Sequence, residues 1–305
     1  MASGDTFYEP STHLKKEAEK KMEKPGKEQL WKSMRQALGS RMKTLETLSV
    51  LEGIKPVARL LCLEDDAQAT QKFLASHGLS LASADFKALL ETPSATAFAE
   101  KASRVELHDD RKGRVVLYVS KDPTKAKKAK EHEAGQRHRE LGALLGYPAC
   151  CTAFFERHFS SEHADLTLDT LEASEGWEFP FFTNIAARHV DAALLSYFPH
   201  SFSCRESLEM GKKHMELART YGQEDVFYLC LQTAIVYTEK EGVIFLQHPF
   251  KNGTVVSYSG ATGTIQSKMY YMLNDEKRIT IEDKHSFHVG EHKIEGKDVG
   301  VMVFL

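Results

Sequence analysis

The chain has 305 residues, of which 42% are hydrophobic and 27% are charged, and its formal net charge is −3. This composition predicts a globular protein with a substantial buried core. The near-neutral balance argues against a strong nucleic-acid signal, and the sequence contains no run of about 18 apolar residues that would predict a helix across a membrane.

The first segment, residues 1–28, is rich in lysine and glutamate and ends near Pro25-Gly26. It predicts a charged lead that is helical or disordered. Residues 1–10 lack the basic and apolar parts of a secretory signal, so we expect a cytoplasmic protein. Disulfides are unusual in that compartment, where clustered cysteines more often serve as metal ligands or redox groups.

The second segment, residues 29–228, is predicted to be one mixed α/β and helical domain that contains the cysteines. Apolar residues recur at helical spacing up to Leu90, which predicts several helices. Two short strands are predicted over residues 104–108 and 115–119. Asp122-Pro123 then predicts the start of a helix that we expect to reach Leu145.

The third segment, residues 229–305, is predicted to be a small β-barrel or meander. Asn252-Gly253 is a strong hairpin signal, and residues 264–273 belong to the alternating runs that predict about six strands. The predicted fold class is therefore α+β, with a mostly helical N-terminal and central region, a short strand pair and a small C-terminal all-β module. Partners are unknown, but a protein partner could bind through this β module.

Three of the five cysteines are predicted to lie where helices begin. Pro148 favours the first helical turn, which places Cys150 and Cys151 at the opening of a new helix. A capping box over residues 203–206 predicts that Cys204 is the first residue of another helix. The positive end of a helix dipole favours thiolates at such positions.

Four interpretations of these cysteines stay open: small buried apolar residues, an iron–sulfur cluster, a structural zinc site, or a redox or nucleophilic thiol. Tetrahedral zinc holds two thiolates about 3.8 Å apart. Adjacent helical residues diverge by about 100° around the axis, so adjacent cysteines favour a cluster over zinc.

The leading hypothesis is therefore a cytosolic iron–sulfur protein whose cluster has a redox or substrate-binding role. Its predicted ligands are Cys150, Cys151 and Cys204, with His200 as fourth ligand. The alternatives are a structural or interaction protein with buried cysteines or a structural zinc, and a cysteine-dependent thiol enzyme. The sequence alone leaves open whether the protein is an enzyme.

The cysteine stretch resembles an uncharacterised prokaryotic domain family, domain of unknown function four-eighty-three. The resemblance covers roughly residues 45–225 and lies in Gly146-Tyr147-Pro148-x-Cys150-Cys151-x-x-Phe154-Phe155 and Phe198-Pro199-His200-Ser201-x-x-Cys204. Because the family has no assigned activity, the resemblance implies a shared architecture and site, and no reaction. Relatives are expected to carry a cysteine where Ser201 stands, which puts a four-cysteine site in doubt.

Other polar and sulfur-containing residues have more ordinary interpretations. Cys62 and Cys230 are flanked by apolar residues, which predicts that they pack in the core. Asn184 and Arg188 are four residues apart and share a helical face. We expect Asn184 and Arg188 to form either an internal hydrogen-bonded pair or a pair that orients a ligand near the cysteines.

Overall fold

The computed structural model of the protein describes residues 26–90 and 102–305. The predicted lead of residues 1–28 lies almost wholly outside them. The α-helices are α1 (26–38), α2 (Arg41–Leu51), α3 (Ala67–Ser76), α4 (Pro123–Ala134), α5 (His138–Leu144), α6 (Ala149–His158), α7 (Thr167–Glu172), α8 (Arg205–Thr220), α9 (Glu224–Leu231) and α10 (Lys268–Glu276). Short 3₁₀ helices cover Phe181–Thr183 and Ile185–Val190.

The strands form three sheets. They are β1 (Ala58–Leu63), β2 (Ser80–Leu90), β3 (Ala102–Glu106), β4 (Arg114–Ser120), β5 (Glu178–Phe179), β6 (Ala234–Thr238), β7 (Gly242–Gln247), β8 (Phe250–Asn252), β9 (Val255–Ser257), β10 (Gly260–Gly263), β11 (Arg278–Asp283), β12 (Ser286–Val289), β13 (His292–Glu295) and β14 (Val299–Phe304). The first sheet has the order β1-β4-β2-β3, the second β10-β7-β6-β14-β5, and the third β13-β12-β11-β9-β8. The strands pair antiparallel except β14 with β5, which is parallel.

The fold class predicted from the sequence is wrong in its distribution of strands. The protein is α+β, but it has three sheets of four or five strands and is not mostly helical with a single small C-terminal β module. Strands β1 and β2 lie in the segment predicted to be helical. Both are rich in leucine or alanine, which favour helices in isolation, and antiparallel pairing with β4 overrides that preference.

Two predicted elements also differ from the structure in type or length. Residues 264–273 include the start of α10 instead of forming a strand, because the Ser267 side chain accepts a hydrogen bond from the Tyr270 backbone N–H and caps that helix. The helix that begins at Pro123 ends at Ala134, and Gln136 adopts a left-handed conformation before α5 begins. The predicted start at Asp122-Pro123 and the hairpin at Asn252-Gly253 are confirmed.

The cysteine-bearing helices pack in the largest hydrophobic core. One face of the first sheet packs against α4 and α5, and its other face contributes Leu117 and Val119 to this core. One face of the second sheet adds Met302 and Phe304 to the same core, whereas its other face packs on the third sheet. Helix α6, with Phe154, therefore lies in a core that both sheets share. The domain boundaries at residues 28 and 228 stay predictions.

Within residues 26–90 and 102–305, none of the helices is both long enough and apolar enough to cross a membrane.

Candidate metal centre

The first turn of α6 presents two neighbouring thiols. Gly146 ends the preceding helix in a left-handed conformation, with φ of 73°, and Pro148 then occupies the N-cap position of α6. Cys150 and Cys151 are the second and third residues of α6, so the predicted position at a helix opening is confirmed. The Thr152 backbone N–H closes the first helical hydrogen bond on the Pro148 carbonyl at 3.0 Å.

The third thiol lies at the start of α8. Cys204 is the N-cap residue of this helix, so the helix begins one residue later than the predicted capping box implied. The reason is a turn before the helix, in which the Cys204 N–H donates to the Ser201 carbonyl at 3.0 Å and the Ser203 N–H donates to the Ser201 hydroxyl at 3.2 Å. The Pro199 carbonyl accepts from the Thr170 hydroxyl at 2.8 Å, which anchors the segment that carries His200.

The three sulfur atoms and one imidazole nitrogen converge. The Sγ–Sγ distances are 3.9 Å for Cys150–Cys151, 3.8 Å for Cys150–Cys204 and 3.7 Å for Cys151–Cys204. The Nδ1 atom of His200 lies 3.6 Å from Cys151 Sγ. One ligand atom from each of these four residues lies within 4.8 Å of all the others, so the group could hold a metal ion. The predicted convergence of the four residues is confirmed.

The adjacent cysteines converge despite the rotation between neighbouring helical residues. That rotation separates their Cβ atoms, but each Sγ lies one rotatable bond farther out and χ1 can direct it toward a common point. Both sulfur atoms lie within 3.8 Å of Cys204 Sγ. Adjacent positions on a helix are therefore compatible with a single ion, contrary to the expectation from the rotation about the helix axis.

Donors around Cys151 form a surrounding hydrogen-bond shell. Its Sγ lies 3.3 Å from the Ser207 hydroxyl and accepts from the His200 backbone N–H at 3.4 Å. The Tyr197 hydroxyl donates to Ser207 at 3.1 Å and so fixes the direction of the serine hydroxyl. Sequence reasoning missed Ser207 and Tyr197. Only the position of Ser207 in the first turn after Cys204 could have indicated its role.

Exposure and proton affinity differ among the three thiols. Cys151 and Cys204 are buried, with 1% and 4% of their surface exposed, whereas Cys150 and His200 are half-buried. A hydrogen bond from Cys151 lowers the pKa of Cys204 to about 5. That same bond, with burial, raises the pKa of Cys151, and burial raises the pKa of Cys150. Cys204 therefore has the lowest pKa of the three thiols.

The site lies at the positive ends of two helices, α6 and α8. Three thiolates, a neutral imidazole and a divalent ion together carry one net negative charge. The partial positive charge at each helix N-terminus stabilises such an anion. Helix geometry therefore favours the charged, metal-bound form of this ligand set.

The other residues considered from the sequence have structural roles. The Asn184 amide donates to the Leu231 carbonyl at 2.9 Å, and its oxygen caps the second 3₁₀ helix. Arg188 is fully buried and donates to Asp165, so Asn184 and Arg188 both belong to internal hydrogen-bond networks. Cys62 lies in the main core and Cys230 packs against it, as predicted.

Close packing between α5 and α6 sets the position of the thiols. A Cβ atom added at Gly142 would lie 2.6 Å from Thr152 Oγ1. We expect Gly142→Ala to lower the free energy of unfolding by about 1–2 kcal/mol, because this overlap outweighs the better helix propensity of alanine. Urea denaturation should show this loss.

The double variant Gly142→Ala/Thr152→Ala tests whether contact with Thr152 causes this loss. Thr152→Ala removes the two nearest atoms, so Gly142→Ala should cost little in the Thr152→Ala background. Equal costs of Gly142→Ala in both backgrounds would mean that α5 and α6 do not pack this closely.

Comparisons of the chain with protein-family models, with curated proteins and with solved structures find no match. The resemblance to the domain of unknown function stays a prediction. A metal site is therefore supported by the geometry of the four residues themselves.

Proposed function

We propose that this is a zinc-binding protein in which Cys150, Cys151, Cys204 and His200 coordinate one ion in a closed, structural site. The observation that supports this most directly is the set of Sγ–Sγ distances, 3.7, 3.8 and 3.9 Å. Four ligands around one tetrahedral zinc ion, with Zn–S bonds of about 2.3 Å, have sulfur atoms about 3.8 Å apart.

The spacing separates one ion from a cluster. In a cubane cluster each thiolate binds a different iron. The cysteine sulfur atoms of a cluster therefore lie farther apart than those that share a single metal ion. The three distances here match ligands that share one metal atom. The iron–sulfur hypothesis from the sequence is therefore less well supported than zinc, and it becomes an explicit outcome of the test below.

The ligand count favours a structural over a catalytic role. Catalytic zinc sites keep one coordination position for water or substrate, whereas structural sites use four protein ligands. Here the histidine completes the tetrahedron with Nδ1 3.6 Å from Cys151 Sγ. The ion would hold the start of α6 against the start of α8 and the segment before it. Thiolate-rich sites prefer zinc to the hard cations magnesium and calcium.

Elemental analysis of anaerobically purified protein tests the proposal. We expect one zinc per chain, no acid-labile sulfide, and a cobalt-substituted form with the absorption spectrum of tetrahedral thiolate coordination. Iron with stoichiometric sulfide would replace the proposal with the cluster hypothesis. A protein that takes up neither metal after incubation with zinc or with iron and sulfide would have three metal-free thiols at this position, which would overturn the proposal.

A further inference from the structure

A cavity of about 370 Å³ lies between the first sheet and helices α5 and α6. This volume is within the range of sites that bind small molecules. Most of its wall is apolar or aromatic: Leu60, Phe86, Leu141, Leu145, Phe155 and Phe198. Among the four proposed zinc ligands, Cys151 lines the cavity and the other three do not. The cavity therefore adjoins the coordination sphere at Cys151.

Two arginines share one buried carboxylate at the sheet side of this cavity. Arg59 donates to both oxygens of Glu133, at 2.7 and 2.8 Å, and Arg104 donates to one of them at 3.3 Å. The Tyr118 hydroxyl also donates to Glu133, at 2.8 Å. Each carboxylate oxygen of Glu133 therefore accepts two hydrogen bonds. A guanidinium group has five N–H donors, so both arginines keep donors that these bonds do not use.

The charge balance of this group is positive. Arg59 and Arg104 carry two positive charges, and Glu133 supplies one negative charge. Both arginines line the cavity, and 29% and 46% of their side-chain surfaces are exposed, whereas Glu133 has only 5% exposed. The Phe86 ring lies 4.5 Å from the centre of the Arg104 guanidinium and joins the charged end to the apolar wall.

The remaining charged groups do not cancel this positive charge. Glu46 lines the cavity but is paired with the buried ammonium of Lys55. Lys43, which also lines the cavity, adds a further positive charge. A ligand that fills the cavity would thus meet an apolar wall along its body and an excess of guanidinium donors at one end.

We propose that this cavity binds an amphipathic monocarboxylate, with its carboxylate on Arg59 and Arg104 and its apolar body along Phe86, Leu141 and Phe155. The planar fork of a guanidinium matches a carboxylate in two parallel hydrogen bonds. The single excess charge of the arginine pair matches one negative charge better than the two of a phosphate monoester. At roughly 30 Å³ per methylene-sized group, the cavity holds roughly a dozen heavy atoms, the size of decanoate.

Isothermal titration of the metal-loaded full chain with decanoate, below its micelle concentration, tests the proposal. We expect one saturable site. Decan-1-ol should bind at least roughly 10-fold more weakly because it lacks the charge-assisted hydrogen bonds, and decylamine should not bind. Decyl phosphate should bind no more tightly than decanoate.

Three variants test whether decanoate binds in this cavity. Arg104→Met leaves the Arg59–Glu133 pair in place and should weaken decanoate binding by roughly 10- to 100-fold, while decan-1-ol binding stays unchanged. Arg139→Met is the matched control, because Arg139 is an exposed arginine paired with Glu156 and does not line the cavity. Ala164→Trp fills the cavity from a half-buried loop position and should weaken both ligands.

The outcomes distinguish this proposal from the zinc proposal. No saturable decanoate binding, equal binding of acid and alcohol, or tighter binding of decyl phosphate would each overturn the carboxylate site. Unchanged decanoate binding in both Arg104→Met and Ala164→Trp would place the ligand elsewhere and also overturn it. Zinc content, measured on the same samples, should stay at one per chain in all of these variants, because none of them replaces a proposed metal ligand.

Discussion

A Cys151→Ala variant is expected to lose the bound metal and a large part of the stability of the protein. Cys151 is central in the ligand set, with two other sulfur atoms and His200 Nδ1 within 3.6–3.9 Å of its own sulfur. Its removal leaves three ligands and opens a buried position in the core. If free zinc exceeds the dissociation constant 1,000-fold, losing the ion alone costs about 4 kcal/mol of stability. Metal content and urea denaturation measure the two effects.

Cys230→Ala is the matched control for this change. Cys230 is a half-buried cysteine in α9 that packs against the main core and is not one of the four converging residues. We expect the control to keep one zinc per chain and to lose no more than about 1 kcal/mol. A Cys151→Ala protein with wild-type zinc content, or zinc loss in the Cys230→Ala control, would contradict the proposed ligand set.

Chelation separates the contribution of the ion from that of the thiol. With excess chelator the wild-type protein should lose most of its stability advantage over Cys151→Ala, because both proteins then fold without the ion. An advantage that persists at full size after metal removal would assign the loss to packing of the Cys151 side chain in the core.

The position of the thiols was predictable because local rules determine it. Proline before Cys150 and the turn before Cys204 specify two helix starts, and helix starts are encoded by a few neighbouring residues. The choice between zinc and a cluster was not predictable in the same way. It depends on side-chain rotations of Cys151 and on the approach of α8, and neither is a local property of the sequence.

Strands β1 and β2 of the first sheet show the opposite case, since neither was predicted from the sequence. The sequence of β2, rich in alanine and leucine, carries no strong strand signal, and pairing with β4 and β3 determines its conformation. The arginine pair could not be predicted for the same reason. Arg59 is on β1, Arg104 is on β3 and Glu133 is on α4, so only the assembled sheet and its covering helix bring them together.

The ion pair between the buried Arg188 and the half-buried Asp165 is expected to make the second large contribution to stability. The Arg188 side chain is fully buried, and Asp165 accepts hydrogen bonds from it, from the Tyr237 hydroxyl and from Thr167. This network joins the cysteine-containing region to β6 of the second sheet. Asp165→Asn keeps the shape but removes the negative charge that faces the guanidinium, and such a loss costs about 3–5 kcal/mol.

Urea denaturation of Asp165→Asn should therefore show a loss of about 3 kcal/mol or more near neutral pH. Asp298→Asn is the control, because Asp298 forms a surface pair with Lys240 at 3.3 Å, and such pairs contribute less than about 1 kcal/mol. Similar losses in the two variants would mean that Arg188 is not held by the Asp165 charge.

The pH dependence gives an independent check of the same ion pair. Burial opposes ionisation of Asp165, but the Arg188 charge and the hydrogen bonds from Tyr237 and Thr167 outweigh it and lower the pKa of this carboxyl below its usual value. A lowered pKa in the folded state stabilises the protein above the unfolded pKa, about 3.9 for aspartate, and this stabilisation is lost as the pH falls toward the folded value. The stability difference between the wild type and Asp165→Asn should therefore be constant near neutrality and shrink below about pH 4. A difference that stays constant to pH 2 would show that hydrogen-bond geometry, and not the charge of Asp165, stabilises the buried arginine.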